Sequence, residues 1–126
     1  MFINSKLKTW KFGIDNDKLV ELVLLGKKTA TTSLYDKNDI SDIDEESVLI
    51  FDNGTKACVT KTKKVIVTKF KNITEELSNL EGEGTFDEWK KSHINFFKSI
   101  DPKFNDDSKV IFEIFEVTEN LQKDDK

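Results

Sequence analysis

With 126 residues, 37% apolar and 35% charged, and with ten Phe and two Trp, the chain has the composition of one globular domain with a real core. No run approaches the roughly 18 apolar residues of a spanning helix, and Met1 to Trp10 lacks the apolar stretch of a secretory signal, so a cytoplasmic location without a membrane partner is expected. The net charge of −4, with all 20 basic residues Lys and none Arg, disfavours sequence reading of duplex DNA.

Helical period appears first between Asp17 and Leu25, where Leu19, Leu22, Val23 and Leu25 form an apolar stripe widened by Val20 and Leu24. Asp15 or Asn16 is placed to cap its start, and Gly26 stands where a C-terminal glycine belongs. Thr29 to Ser33 is β-branched and alternating, which predicts a short strand. From Asp36 to Asp52 seven acids face one lysine, a net −6. The run lacks the glycine and terminal glutamate of an EF-hand, so it reads as a solvated loop.

Asn53-Gly54 separates Val48–Phe51 from Ala57–Val59 and predicts a hairpin closed by a type I′ turn. The second strand continues through Val65–Val67, with a bulge where the alternation slips near Lys63 and Lys64. Asn53 to Thr74 carries six lysines and no acid, a net +6, which is either a solvated surface or a basic strand face for RNA phosphates offering Lys61, Lys63 and Lys64. Thr74, followed by Glu75 and Glu76, starts a short helix ending near Glu81-Gly82-Glu83-Gly84. Thr85 and Glu88 have capping-box spacing and open a helix to about Ser99, whose apolar face (Phe86, Trp89, His93, Phe96, Phe97, Ile100) covers one side of the sheet. Val110 to Thr118 is a closing strand, and 119–126 is a frayed polar tail. The fold class is α+β, the long twisted arms curling into a partly open β-barrel with flanking helices.

Cys58 is alone and His93 is alone, so there is no internal disulfide and no structural zinc set; neither a metal nor another cofactor is expected. Gly26 to Ser33 puts Lys27 and Lys28 beside the hydroxyls of Thr29, Thr31, Thr32 and Ser33, and in an extended strand Thr29, Thr31 and Ser33 share a face. A lysine kept neutral by burial takes a hydroxyl proton, and a charged one stabilises an oxyanion, so Lys with Thr is a candidate nucleophile pair; a Thr-rich strand with solvated lysines is the plainer alternative. Glu81 and Glu83 among glycines can put an acid or base in a cleft, or mark only a helix end. His93 lies four residues from Trp89 and meets it on one helix face, as a ligand contact or as a hydrogen-bonded core residue.

Taken together, Trp10-Lys11-Phe12-Gly13, the helix running into Gly26-Lys27-Lys28-Thr29-Ala30-Thr31, Phe70 to Thr74, Glu81-Gly82-Glu83-Gly84, Glu88-Trp89 followed by His93 and Phe96-Phe97, and Phe112 to Phe115 resemble the ASCH family (activating signal cointegrator homology) over about residues 10–118. The resemblance implies a single PUA-like domain over 1–126, with a cleft beside the barrel that takes a nucleoside or single-stranded RNA. Small bacterial members include an amidohydrolase that deacetylates N4-acetylcytidine; others bind or cleave RNA. Carried over from the amidohydrolase branch, Lys28 is the proton acceptor, Thr31 the nucleophile and Glu81 the proton donor, with Glu83 the second choice. Lys27 or backbone N–H groups hold the oxyanion, and Thr29, Ser33, Glu83, Trp89 and His93 surround the substrate. A non-catalytic RNA-binding module is the alternative, and a metal-independent ribonuclease using His93 comes after it.

Overall fold

Short apolar stretches that cannot bury themselves alone are assembled here on one mixed sheet. The computed structural model describes residues 7–122. In chain order it holds β1 (Lys8–Trp10), α1 (Asn16–Leu24), β2 (Ala30–Leu34), β3 (Glu46–Ile50), β4 (Lys56–Lys69), a 3₁₀ turn at Phe70–Asn72, α2 (Glu75–Asn79), α3 (Phe86–Ile100) and β5 (Lys109–Asn120). The strand order is β1-β3-β4-β5-β2, with β1 parallel to β3 and the other neighbours antiparallel. The sheet is not closed: β1 and β2 are its two edges, and both line one cavity between them. Among the described residues no helix is long and apolar enough to cross a membrane.

The bulge expected near Lys63 is present, since the β4–β5 register shifts between Thr62 and Lys64; a second shift between Val59 and Thr60 leaves Thr118 unpaired. Such bulges strengthen twist and bend the long arms. The hairpin turn differs from expectation. A type I′ turn needs positive φ at both central residues, and here Gly54 alone has it, at 90°. Phe51 accepts from Gly54 N–H and donates to Thr55 O, both at 2.9 Å, which makes a three-residue loop with a bulge at the glycine.

Neither Asp15 nor Asn16 caps α1. Asp15 is left-handed (φ 48°) and makes no side-chain cap, while the Asn16 side chain accepts from Phe12 N–H at 2.7 Å and donates to Ile50 O at 3.0 Å. The capping box at Thr85 and Glu88 is formed in both directions. The expected tail is not frayed at its start: β5 runs to Asn120, Leu121 N–H bonds Ala57 O, and the Gln122 amide bonds Lys56 O. Residues 123–126 lie outside the described residues, as do positions 1–6 of the stretch read for a leader.

Two apolar clusters form the core. One packs α1 on the sheet through Leu19, Val20, Val23, Leu49, Cys58 and Phe115; the other packs α2 and α3 through Phe70, Ile73, Trp89, Phe97, Val110 and Phe112. Cys58 is buried, and burial pushes its thiol up to about 11, consistent with an inert core residue. Ile100, expected on the covering face of α3, is mostly exposed at its end.

Candidate functional site

The site is built where the end of α1 and the end of α2 meet. Gly26 (φ 78°) closes α1: its N–H bonds Val23 O at 3.0 Å and Lys27 N–H bonds Leu22 O at 2.9 Å, a Schellman closure that turns the chain abruptly toward β2. Thr29 N–H then bonds Leu80 O at 2.7 Å, tying the start of β2 to the end of α2. Gly82 (φ 68°) presses backbone to backbone on Lys27, so closely that a Cβ there would lie 2.2 Å from Lys27 O. This approach brings Lys28 against the two carboxylates on either side of Gly82.

Lys28 is 1% exposed and Glu81 is fully buried. Lys28 Nζ donates to Glu81 Oε1 at 3.0 Å and to Glu83 Oε2 at 2.5 Å, and sits 5.2 Å from the Phe12 ring centroid. The other Glu81 oxygen accepts from the Thr32 hydroxyl at 2.6 Å. His93 Nε2 faces Glu81 Oε1 at 3.4 Å, while its Nδ1 lies 2.8 Å from Trp89 O. A carbonyl only accepts, so Nδ1 carries a proton; a carboxylate opposite Nε2 favours a second one there. Both ring nitrogens are therefore best satisfied as an imidazolium. Two cations then balance two carboxylates in a site that water barely reaches.

The pKa directions agree with this arrangement. Burial opposes charge on Glu81, but hydrogen bonding from His93, the Lys28 charge and the Thr32 hydroxyl together hold its carboxyl well below the ordinary range. Burial also opposes charge on His93, and it is outweighed by Glu81, Glu83 and the Trp89 carbonyl, which raise it. Burial raises Glu83, with the Glu81 charge adding, against the lowering by Lys28. The linkage has a definite sign. The depressed Glu81 stabilises the fold above its ordinary value of 4.5, a contribution lost as pH falls through its folded value. The raised His93 stabilises it fully below 6.5, a contribution lost as pH rises through its folded value, and the raised Glu83 has that same direction. The cluster's contribution to stability is expected to be greatest near pH 4.5, to decline above it as Glu83 ionises and more steeply beyond 6.5 as His93 loses its proton, and His93→Gln should flatten the steeper part. Urea midpoints measured across pH would check this, and an unchanged slope in the variant would contradict it.

This cluster forms the wall of a cavity of about 510 Å³ that Thr31, Thr32, Gly82, Phe12 and Phe96 also line. The expected residues fall into three groups. Lys28, Glu81, Glu83 and His93 are brought together, and Thr31 lines the same cavity, although among the described residues no hydrogen bond joins its hydroxyl to Lys28 or either carboxylate. Lys27, Thr29, Ser33 and Trp89 do not line it. Lys27 is exposed behind the Gly82 contact, and Thr29 bonds Leu80 O. Ser33 lines a neighbouring cavity. Trp89 is a core residue stacked between Phe70, Phe86 and His93. Thr32, not singled out as a site residue from sequence, is the hydroxyl that reaches the carboxylate. The alternation of β2 carries the signal, since Thr32 shares the inward face of Ala30.

Lys61, Lys63 and Lys64 lie apart from this cavity on β4, and acids face the first two across the sheet. Lys61 is in register with Glu46 on β3 and Glu116 on β5. Lys63 lies 3.8 Å from Asp44 and 3.9 Å from Glu116. Lys64 is exposed opposite Ile114. The basic and acidic runs of the sequence thus meet at Lys61 and Lys63, while Lys69 and Lys71 pair with Asp107.

Glu81, Glu83 and His93 also bring ligand atoms within 4.8 Å of one another, a set that suits a divalent ion. Lys28 Nζ already stands at hydrogen-bond distance from both carboxylates, so the ammonium holds the cation's position.

A family model described as the ASCH domain matches residues 8–119. An ASCH domain from Lactobacillus crispatus JV V101 is 23% identical and superposes with a TM-score of 0.83, covering 90% of this chain and 80% of that one. Protein EF3133 from Enterococcus faecalis V583 is also 23% identical, with a TM-score of 0.81 over 100% of this chain and 87% of that one. PF0455 from Pyrococcus furiosus is more distant, 22% identical with a TM-score of 0.57, covering 87% and 97%. No curated protein matches. Likeness at this identity bears on the fold, and it agrees with the α+β, PUA-like, partly open arrangement expected.

Proposed function

The chain belongs to the ASCH domain family, and on that premise we propose that it is an amide hydrolase that deacylates a nucleoside of the N4-acylcytidine type. The observation that carries this reading is the buried Lys28–Glu81–Glu83–His93 cluster set in the wall of a cavity that Thr31 also lines. A nucleophile, a lysine and a carboxylate that carries protons are what amide cleavage requires.

The local chemistry favours one division of labour. Glu81 has both oxygens engaged and is held as an anion, which suits it to positioning Lys28 and His93. Glu83 is partly exposed to the cavity and raised, which suits it to carrying protons. The proton donor expected at Glu81 is therefore better assigned to Glu83. In this scheme Lys28 passes its proton to Glu83. Thr31 Oγ1 attacks the acyl carbon and gives its proton to the Lys28 amine. The recharged ammonium faces the oxyanion. Collapse breaks the C–N bond, and Glu83 protonates the departing amine. Water, deprotonated by Glu83, then attacks the Thr31 ester; the acid leaves, and Lys28 returns the proton to Thr31.

Incubation with N4-acetylcytidine and chromatographic detection of cytidine tests the reading. Wild type is expected to release cytidine and Thr31→Ala to release none, while Glu83→Gln should lose a factor of about 10²–10⁴. If no acylcytidine in a panel is cleaved, the hydrolase reading falls and non-catalytic binding in the same cavity takes its place. Lys61 and Lys63 face acids across the sheet, which leaves Lys64 as the exposed cation of the three without an acid in register among the described residues.

A further inference from the structure

A second cavity of about 390 Å³ lies between the two sheet edges, and Phe12, Gly13, Thr31, Thr32 and Phe96 line both it and the first. The Phe96 ring marks the partition: it lies so close to Gly13 that a Cβ there would be 2.6 Å from its Cζ. Thr31 thus stands at the junction, with Lys28 and the carboxylates on one side and the second cavity on the other. The lining chemistry of the two differs. In the second, Trp10, Phe96 and Phe97 supply aromatic walls, and Asp39, Glu45 and Glu113 supply three carboxylates.

Glu113 is the feature that needs an explanation. It is half-buried mid-strand on β5, in register with Thr31, so the two side chains leave the same face of the sheet about 5 Å apart at Cβ. It accepts from the Thr62 hydroxyl at 2.7 Å. The cations that line the cavity are engaged elsewhere: Lys8 pairs with Glu45 at 3.1 Å and Lys11 with Asp52 at 3.7 Å. Burial pushes its carboxyl above the ordinary range and the charges of Glu45 and Asp39 add to this, against hydrogen bonds from Thr62 and Ser41. Placing a half-buried carboxylate with no cation paired to it among the described residues beside aromatic rings costs stability, and an arriving ammonium would relieve that cost through charge-assisted and cation–π contacts.

We infer that this second cavity is a subsite for an organic cation: it receives an ammonium-bearing acyl group, an aminoacyl amide in chemical class, whose carbonyl lies at Thr31. The inference rests on the hydrolase reading for its acyl assignment and on Glu113 and the aromatic walls for its charge preference. A carbonyl at Thr31 followed by one methylene puts an ammonium within reach of the carboxylate opposite, and the volume admits groups much larger than acetyl.

Two measurements separate the parts. N4-glycylcytidine and N4-propionylcytidine have acyl groups of nearly equal shape, differing in charge. Wild type is expected to prefer the glycyl substrate by about tenfold or more in kcat/KM, a preference that falls toward one in Glu113→Gln and is reduced in the exposed variant Asp39→Asn. Independently of catalysis, NMR titration should show benzylamine shifting the Trp10 indole N–H, with benzyl alcohol leaving it in place and Glu113→Gln abolishing the shift. Equal rates for the two substrates, or a preference that survives Glu113→Gln, would overturn the acyl assignment. Turnover of acylcytidines with no amine effect at Trp10 would overturn the cation subsite while leaving the hydrolase reading intact. Amine binding with no turnover of either substrate would uphold the subsite and remove the hydrolase reading.

Discussion

Lys28→Met is expected to lower the unfolding free energy by about 3–5 kcal/mol, a large share of what a domain of this size possesses. The loss comes from the carboxylates left behind. Glu81 is fully buried, and without Lys28 its charge is met among the described residues by His93 at 3.4 Å and the Thr32 hydroxyl. Methionine occupies a comparable volume, so the deficit would be electrostatic and not a cavity. Removing both charges in Lys28→Met/Glu81→Leu should therefore recover much of it, because the desolvation cost of the buried pair disappears along with its attraction. Urea unfolding of the two singles and the double gives the coupling directly. A single-variant loss below about 1 kcal/mol, the range of exposed pairs, would mean that water reaches the ammonium and that the cluster does not organise the fold.

The local parts of this site were readable, and its assembly was not. The helix over Asn16–Leu24, the capping box at Thr85, the bulge at Lys63 and the long arms of β4 and β5 each follow from signals within a few residues. β1 was missed because three residues joining an edge in parallel carry no alternation of their own, and the hairpin turn because Asn-Gly also suits a three-residue loop. Charge misled most. A run of lysines from 53 to 74 reads as a basic face until β3 and β5 set Glu46 and Glu116 beside Lys61. Lys28 and Glu81 are 53 positions apart, and nothing in either segment says that one will neutralise the other. The residue types are legible; that Glu81 is fully buried and Glu83 only partly so depends on how the two segments pack.

Gly82→Ala and Gly26→Ala together test what holds the cluster in place. Both glycines are left-handed, at φ 68° and 78°, so alanine at either costs about 1 kcal/mol in backbone conformation. They differ in what surrounds them. At position 26 a Cβ meets nothing within 4 Å, so the cost should stop there and the site should stay intact. At position 82 the Cβ would lie 2.2 Å from Lys27 O and 2.9 Å from Lys27 C, and backbone atoms cannot swing aside as a flexible side chain does. The two segments must separate by an ångström or more, drawing Glu81 and Glu83 away from Lys28, and a displacement of that size costs on the order of 10²-fold in turnover. Gly82→Ala is thus expected to unfold at markedly lower urea concentration than Gly26→Ala and, on the proposed hydrolase reading, to lose cytidine release at least a hundredfold, while Gly26→Ala keeps it. Equal behaviour of the two variants would mean that the backbone contact at Gly82 is incidental, and that Lys28 finds its carboxylates through side-chain pairing alone.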